Sequence, residues 1–61
     1  MDQAKARRQL VASASRAYQG GFSMLDWMEH QEVLNYCKQN KLDPKILEHI
    51  AYWVWKGLNR S

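Results

Sequence analysis

The stretch KLDPKILEHI at residues 41–50 decides the fold, because it contains a sharply marked helix start. Asp43 is a good N-cap residue, since its carboxylate can accept hydrogen bonds from the free amides of the next turn. Pro44 suits the first helical position, where its missing N–H costs nothing. Leu42 and Leu47 then occupy the two positions of a hydrophobic staple. One helix is therefore predicted to begin at Pro44, and another is predicted to end just before the turn.

Similar signals mark the other helix ends. Gly20-Gly21 supplies the positive φ that favours a helix C-cap. Ser23 is an N-cap candidate for a second helix, and Gly57 is expected to end the last one. Residues 59–61 are expected to form a frayed tail. The sequence thus predicts an all-α fold, one domain over residues 1–61, with three helices at about residues 3–19, 24–40 and 44–57.

The second predicted helix carries two apolar faces. One face consists of Met24, Leu25, Trp27 and Met28, and the other consists of Val33, Leu34 and Cys37. At about 100° per residue these faces lie nearly opposite each other. Two interpretations stay open: one long helix buried on two sides, or a helix at 24–30 followed by another at 31–40. Because Gln31 and Glu32 are not helix breakers, a continuous or only kinked helix is favoured.

The length of the chain and its single cysteine limit the kinds of site it can hold. At 61 residues it lies near the lower limit at which a core alone stabilises a fold, which leaves room for a homo-oligomer or a binding partner to contribute to stability. Cys37 cannot form an intramolecular disulfide, and the two histidines leave few ligands for a zinc site. We therefore expect no cofactor, no metal and a reducing, cytoplasmic setting. No apolar run approaches the ~20 residues that span a bilayer and no leader peptide is recognisable, so no membrane association is expected.

Charge is distributed unevenly along the chain. The net charge is +3, and the two ends are basic whereas the middle is acidic. Such a layout permits contact with nucleic acid or with an acidic protein surface. The excess is smaller than in many dedicated nucleic-acid binders.

Residues 36–50 fit the spacing of a helix-turn-helix hairpin. Its small and apolar positions are filled by Cys37, Leu42, Leu47 and Ile50. Asn40 and Lys41 depart from the pattern, which usually has an apolar residue and a glycine there. In this interpretation nucleic acid is contacted by Arg7, Arg8, Arg16, Lys41, Lys45 and His49. The alternative is that any tight helical hairpin satisfies the spacing, and the outer face of the second helix lacks the Arg, Asn and Gln that most often read bases.

The last predicted helix is amphipathic and rich in aromatic side chains. Its broad apolar face consists of Ile46, Leu47, Ile50, Ala51, Trp53, Val54 and Leu58. Trp53 is therefore assigned to the core, whereas Tyr52 and Trp55 are expected to be at least partly exposed. An alternative is that Trp55 folds over the end of the first helix. Large aromatics beside positive charge are common at protein interfaces, so the predicted partner-binding residues are Tyr52, Trp55, Lys45, His49 and Lys56, with the exposed part of Trp27, Met24 and Met28.

Catalysis has little support in the sequence. Cys37 and His30 would lie about 10 Å apart along one helix, which is too far for a nucleophile and a base to share a proton. Cys37 is predicted to be a buried structural thiol. We expect a small non-enzymatic regulatory or inhibitory protein that binds a larger protein, and the alternative is a helix-turn-helix DNA-binding regulator acting as a dimer.

One short run resembles a known family. Residues 16–22, RAYQGGF, resemble the opening of bacterial ribosome modulation factors. The remainder of the chain does not follow that family, so the resemblance assigns no role to any residue.

Overall fold

The computed structural model describes residues 3–58, and over that range it contains four α-helices and no strand. The helices are α1 (Gln3–Gln19), α2 (Met24–Glu29), α3 (Gln31–Gln39) and α4 (Lys45–Leu58). The predicted all-α class is confirmed, and the first predicted helix agrees with α1. The predicted tail at residues 59–61 lies outside the described residues.

The predicted continuity of the second helix is wrong, because the chain breaks at His30 between α2 and α3. His30 has an extended backbone, with φ −64° and ψ 130°. Its amide donates to the carbonyl of Trp27 at 3.2 Å, and its Nδ1 accepts from the amide of Glu32 at 3.2 Å. One residue thus closes α2 through its backbone amide and opens α3 through its side chain. The break resolves the conflict between the two apolar faces, since it lets Val33 and Cys37 join Trp27 in the core, and the alternative with two shorter helices is the correct one.

The end of α1 confirms the prediction from its two glycines. Gly21 has φ +88°, and its amide donates to the carbonyl of Tyr18 at 3.1 Å. The amide of Phe22 donates to the carbonyl of Ala17 at 3.0 Å. This pair of bonds is a Schellman motif, which satisfies the last carbonyls of a helix.

The end of α3 has the same motif without a glycine. Lys41 adopts φ +56° and donates its amide to the carbonyl of Lys38 at 3.2 Å. The amide of Leu42 donates to the carbonyl of Cys37 at 2.9 Å, and both of these side chains are buried. Among the described residues Lys41 is the one non-glycine with positive φ. The departure from glycine at this position therefore leaves local backbone strain.

Lys41→Gly should raise the free energy of unfolding by about 0.5–1 kcal/mol, because relief of ~1–2 kcal/mol of left-handed strain outweighs the extra chain entropy of glycine. Urea unfolding followed by circular dichroism measures the difference. Lys38→Gly, inside α3, is the control and should lower stability by about 0.5–1 kcal/mol. An unchanged or lowered midpoint for Lys41→Gly would show that the turn is not strained.

The predicted caps of α2 and α4 are confirmed, whereas the predicted end of α4 is wrong. The Ser23 hydroxyl accepts from the amide of Asp26 at 3.1 Å, and an oxygen of the Asp43 carboxylate accepts from the amide of Lys45 at 3.0 Å. Gly57 does not end α4, which continues through it to Leu58. Gly57 has no positive φ, so nothing at this position turns the chain out of the helix.

The core lies where α4 packs against α1 and α2. Its buried residues are Ala6, Leu10, Ala14, Trp27, Val33, Cys37, Leu42, Leu47, Ile50, Ala51 and Val54. The small residues of α1 allow α4 to approach closely, and this pair makes the most extensive contact between helices. Extensive contacts of α4 are with α1 and α2 rather than with α3. The predicted helix-turn-helix-like hairpin is thus not reproduced as a packed two-helix unit.

The two longest helices run in the same direction. Gln3 and Arg7 line a depression together with Lys45, at the start of α4. Near the other end, the rings of Tyr18 and Trp55 lie 5.8 Å apart, centroid to centroid. The beginnings of α1 and α4 therefore lie at one end of the fold.

Cys37 lies in the core, with none of its surface exposed, as predicted. Burial raises the pKa of its thiol above the ordinary value because desolvation disfavours the thiolate. The thiolate is the reactive form of cysteine. Low accessibility and a disfavoured thiolate both make Cys37 an unreactive packing residue.

The free energy of unfolding should therefore fall more steeply in alkaline solution for the parent chain than for Cys37→Ala. The folded state holds a thiol proton that the unfolded chain releases. This contribution is fully present below the ordinary thiol pKa of about 8.5 and is lost as the pH rises through the raised value, by at most about 1.4 kcal/mol per pH unit. Urea unfolding of both chains between neutral and alkaline pH measures the two slopes. Equal slopes would contradict the burial of the thiol.

Candidate protein-binding surface

Trp27 is a core residue, which corrects its assignment to the binding surface. Its side chain is 3% exposed, and its Nε1 donates to the Ser13 hydroxyl at 3.2 Å. Met24 and Met28 are half-buried and pack against the same core. The bend at His30 explains this arrangement, because it turns the face of α2 inward and leaves no second apolar face of a long helix for a partner.

Trp55 is half-buried at the junction of three segments. Its ring packs edge-on against Tyr18 and lies 6.2 Å from the ring of Trp27, centroid to centroid. Its Nε1 donates to the carbonyl of Phe22 at 3.3 Å. The alternative in which Trp55 covers the end of the first helix is therefore confirmed. Much of the Trp55 side chain is thus engaged in contacts within the fold.

Trp53 is 69% exposed, and its prediction as a core residue is wrong. At about 100° per residue, Trp53 and Trp55 lie on opposite flanks of the buried arc of α4, about 110° and 90° from its centre. The turn before α2, together with α2 itself, covers the flank that carries Trp55. No described helix covers the other flank in the same way, so Trp53 stays in solvent.

Tyr52 is exposed, as predicted, and it lies next to Trp53 on the outer side of α4. It is 58% exposed, and the ammonium of Lys56 lies 5.3 Å from the centroid of its ring. A cation at this distance over a tyrosine face is attracted by the ring quadrupole. Lys45 and His49 are exposed on the same side of α4. One helix face therefore carries two large aromatic side chains with cations beside them.

A shallow groove runs between α1 and this face of α4. We call it the α1–α4 groove, and its lining residues are Arg7, Val11, Ile46, His49, Ile50 and Trp53. His49 also lines the two neighbouring depressions, one towards Tyr52 and one towards Lys45. The three depressions therefore adjoin one another, with His49 as a lining residue that they share. The α1–α4 groove and Tyr52 together form the candidate site.

The predicted basic residues do not form one surface. Arg7, Lys41, Lys45 and His49 line a single depression at the start of α1 and α4. Arg16 lines a different groove of about 450 Å³, between α1 and α3, whose floor includes Trp27. Arg8 is exposed, about 100° around α1 from its neighbour Arg7. A continuous nucleic-acid track along the first helix is therefore not assembled.

Trp53, Val11 and Ile46 belong to the candidate site but were not among the predicted partner-binding residues. Their spacing within each helix marks them as apolar, which is equally typical of core positions. Their exposure depends on how α1 packs beside α4, and this packing leaves Val11 and Ile46 partly exposed and Trp53 mostly exposed. A weak signal existed in Trp53, since three aromatics within four residues of one helix cannot all face inward.

Other kinds of site find no support in the described part of the chain. Within residues 3–58 no group of three or more His, Cys, Asp or Glu side chains is placed to hold a metal ion. None of the four helices combines the length and the apolar character needed to cross a membrane. No protein-family model matches the chain, and no curated protein or solved structure matches it significantly.

Proposed function

We propose that this chain is a non-enzymatic regulatory or inhibitory protein that binds a larger protein through the α1–α4 groove and Tyr52. The observation that carries this proposal is the 69% exposure of Trp53. A domain of this size has a small core, so a large apolar side chain left outside that core is a loss of available stabilisation. A tryptophan held outside the core, next to a second exposed aromatic, is typical of an interface anchor.

The size of the exposed aromatic surface supports a protein partner. A Trp or Tyr side chain buries roughly 150–250 Å², so the exposed fractions of Trp53 and Tyr52 leave on the order of 200–300 Å² on one helix face. This area approaches the lower end of the about 300–600 Å² of the largest apolar patch on a typical monomer, which is often functional. A standard interface buries about 800 Å² on each partner. The two aromatics would thus form its centre, and the surrounding polar residues would form its rim.

A DNA-binding regulator is the second candidate, favoured by the common depression of Arg7, Lys41 and Lys45. The outer face of α4 argues against base reading, because it carries no Arg, Asn or Gln. Glu48 is exposed on that helix and would repel phosphates. The protein-binding proposal accounts for the exposed aromatics, which duplex DNA would leave without a role.

Affinity capture with matched variants tests the proposal. The immobilised parent chain and a Leu25→Ala control should retain the same protein from extracts of the source cell, since Leu25 is also mostly exposed, at 60%, but lies on α2. Trp53→Ala should lose that protein while keeping its helix content. Nuclease treatment should leave the captured protein unchanged. Capture that survives Trp53→Ala, or that disappears with nuclease, would contradict the proposal.

A further inference from the structure

The α1–α4 groove changes in chemistry along its length. At one end it adjoins a basic depression that contains Arg7, Lys41 and Lys45, and the two share Arg7, Ile46 and His49 as lining residues. At the other end it opens onto Trp53 and Tyr52. The floor between these ends is apolar and consists of Val11, Ile46 and Ile50. An occupant that matches the whole groove must combine negative charge at one end with an apolar group at the other.

The backbone adds to the positive character of the basic end. The N-termini of α1 and α4 both lie there, and a helix N-terminus carries a partial positive charge. The Asp43 carboxylate at this end accepts a hydrogen bond from the backbone amide of Lys45. The negative charge of Asp43 is therefore directed at the start of α4. Glu48 is the other acid of the site and lies towards the aromatic end. Negative charge on a ligand is therefore favoured near Arg7 and Lys45.

The apolar floor distinguishes a protein segment from a nucleic acid. Val11, Ile46 and Ile50 offer no side-chain hydrogen bond to the polar edges of a base. Burying such edges without partners costs free energy. An aliphatic or aromatic hydrocarbon side chain has no hydrogen-bonding group to leave unpaired in the same space. The basic end alone would suit phosphate, but the combination favours a peptide.

Resting on the proposed function, we propose that the α1–α4 groove binds an acidic amphipathic segment of its protein partner. A large apolar side chain of that segment packs against Trp53, at the aromatic end of the groove. One or more of its carboxylates pair with Arg7 and Lys45. This is the helix-in-groove or extended-peptide mode of recognition, with charge complementarity fixing the direction of the segment.

The groove also sets the spacing of these groups. Lys45 and Trp53 are eight residues apart on α4, which corresponds to about 12 Å along the helix axis. A helical ligand covers that distance with about eight residues, and an extended ligand covers it with about four. The acid and the apolar anchor of the partner should therefore show one of these two spacings.

Selection from a displayed library of random peptides, long enough to span the groove, tests this inference on the full chain. The selected peptides should be enriched in Asp and Glu, with Trp, Phe or Leu at one of the two spacings. A synthetic copy of the most enriched peptide should bind about 30-fold more weakly to Trp53→Ala. Exchange of both Arg7 and Lys45 for Glu should also weaken it, whereas Leu25→Ala should bind it as the parent does.

Other ligands that could occupy the α1–α4 groove are compared with the peptide in the same experiment. An unstructured oligothymidylate, vesicles of anionic phospholipid and the chain itself at rising concentration are the probes. Selected peptides without acidic enrichment, or no selection above background, would overturn the inference. Tighter Trp53-dependent binding of the oligonucleotide, the vesicles or a second copy would also overturn it.

The proposed function and this inference fail in distinguishable ways. Capture of a cellular protein that depends on Trp53, together with peptides that lack acidic enrichment, would overturn only the inference. If Trp53→Ala changes neither the capture of the cellular protein nor the binding of the peptide, the proposed function is overturned as well. Circular dichroism of each variant establishes that the fold is retained before binding is compared.

Discussion

Trp27→Ala should lower the free energy of unfolding by about 3–5 kcal/mol, the usual cost of removing a buried tryptophan. The ring is almost fully buried, stacks at an angle on Trp55 and holds the Ser13 hydroxyl through Nε1. A chain of this length is expected to have a total stability of only about 3–9 kcal/mol. The variant should therefore lose at least about a third of the parent's stability, and it should be largely unfolded at room temperature if the parent lies at the lower end of that range.

The matched comparison for Trp27→Ala is Trp53→Ala, which deletes the same type of side chain at a solvent-exposed position. Because Trp53 is mostly exposed, its loss should change stability by no more than about 0.5 kcal/mol. Urea unfolding followed by far-ultraviolet circular dichroism measures both variants without relying on tryptophan fluorescence. Similar losses for the two variants would mean that the assignment of buried and exposed tryptophans is wrong.

Tyr52→Ala combined with Trp53→Ala should weaken partner binding by about 100-fold or more, as expected when two central aromatic anchors are lost. Helix content should stay nearly intact, because both side chains project from the outer side of α4. Titration of the captured partner against the parent and the double variant gives the ratio of dissociation constants.

Two controls make the double variant informative. Leu25→Ala removes an exposed apolar side chain on α2 and should bind as the parent does. Trp55→Ala removes a ring packed against Tyr18 and Trp27, so it should chiefly reduce stability. Normal binding by the double variant, together with loss of binding when Arg7, Arg8 and Arg16 are replaced, would move the working surface to the basic first helix and favour nucleic acid.

The helix ends that could be predicted are those fixed by local chemistry. Ser23 and Asp43 accept the hydrogen bonds expected of N-caps, and Gly21 takes the expected positive φ. The break near His30 was placed as one of two alternatives, but local chemistry favoured the continuous helix because neither Gln31 nor Glu32 is a helix breaker. The two opposed apolar faces were its one signal, and they indicated a conflict without saying how the chain resolves it.

The binding surface could be predicted only in part. Tyr52, Lys45 and His49 are exposed on one side of α4, as helical spacing alone indicates. Trp53 and Trp55 are nearly equivalent by spacing, since each lies at one edge of the buried arc. Which edge is covered depends on packing between segments far apart in the sequence, and that information is absent from the pattern of one helix.

Photo-cross-linking from position 53 is the most direct test that the α1–α4 groove is a protein-binding surface. A photoreactive phenylalanine analogue replaces Trp53 in one chain and Leu25 in a control chain, and both are irradiated in the source cell. We expect position 53 to form a cross-link to a distinct protein, position 25 to form none to that protein, and exchange of Arg7 and Lys45 for Glu to remove the product. Cross-links from position 53 to nucleic acid alone, the same products from both positions, or no product at all would contradict this expectation.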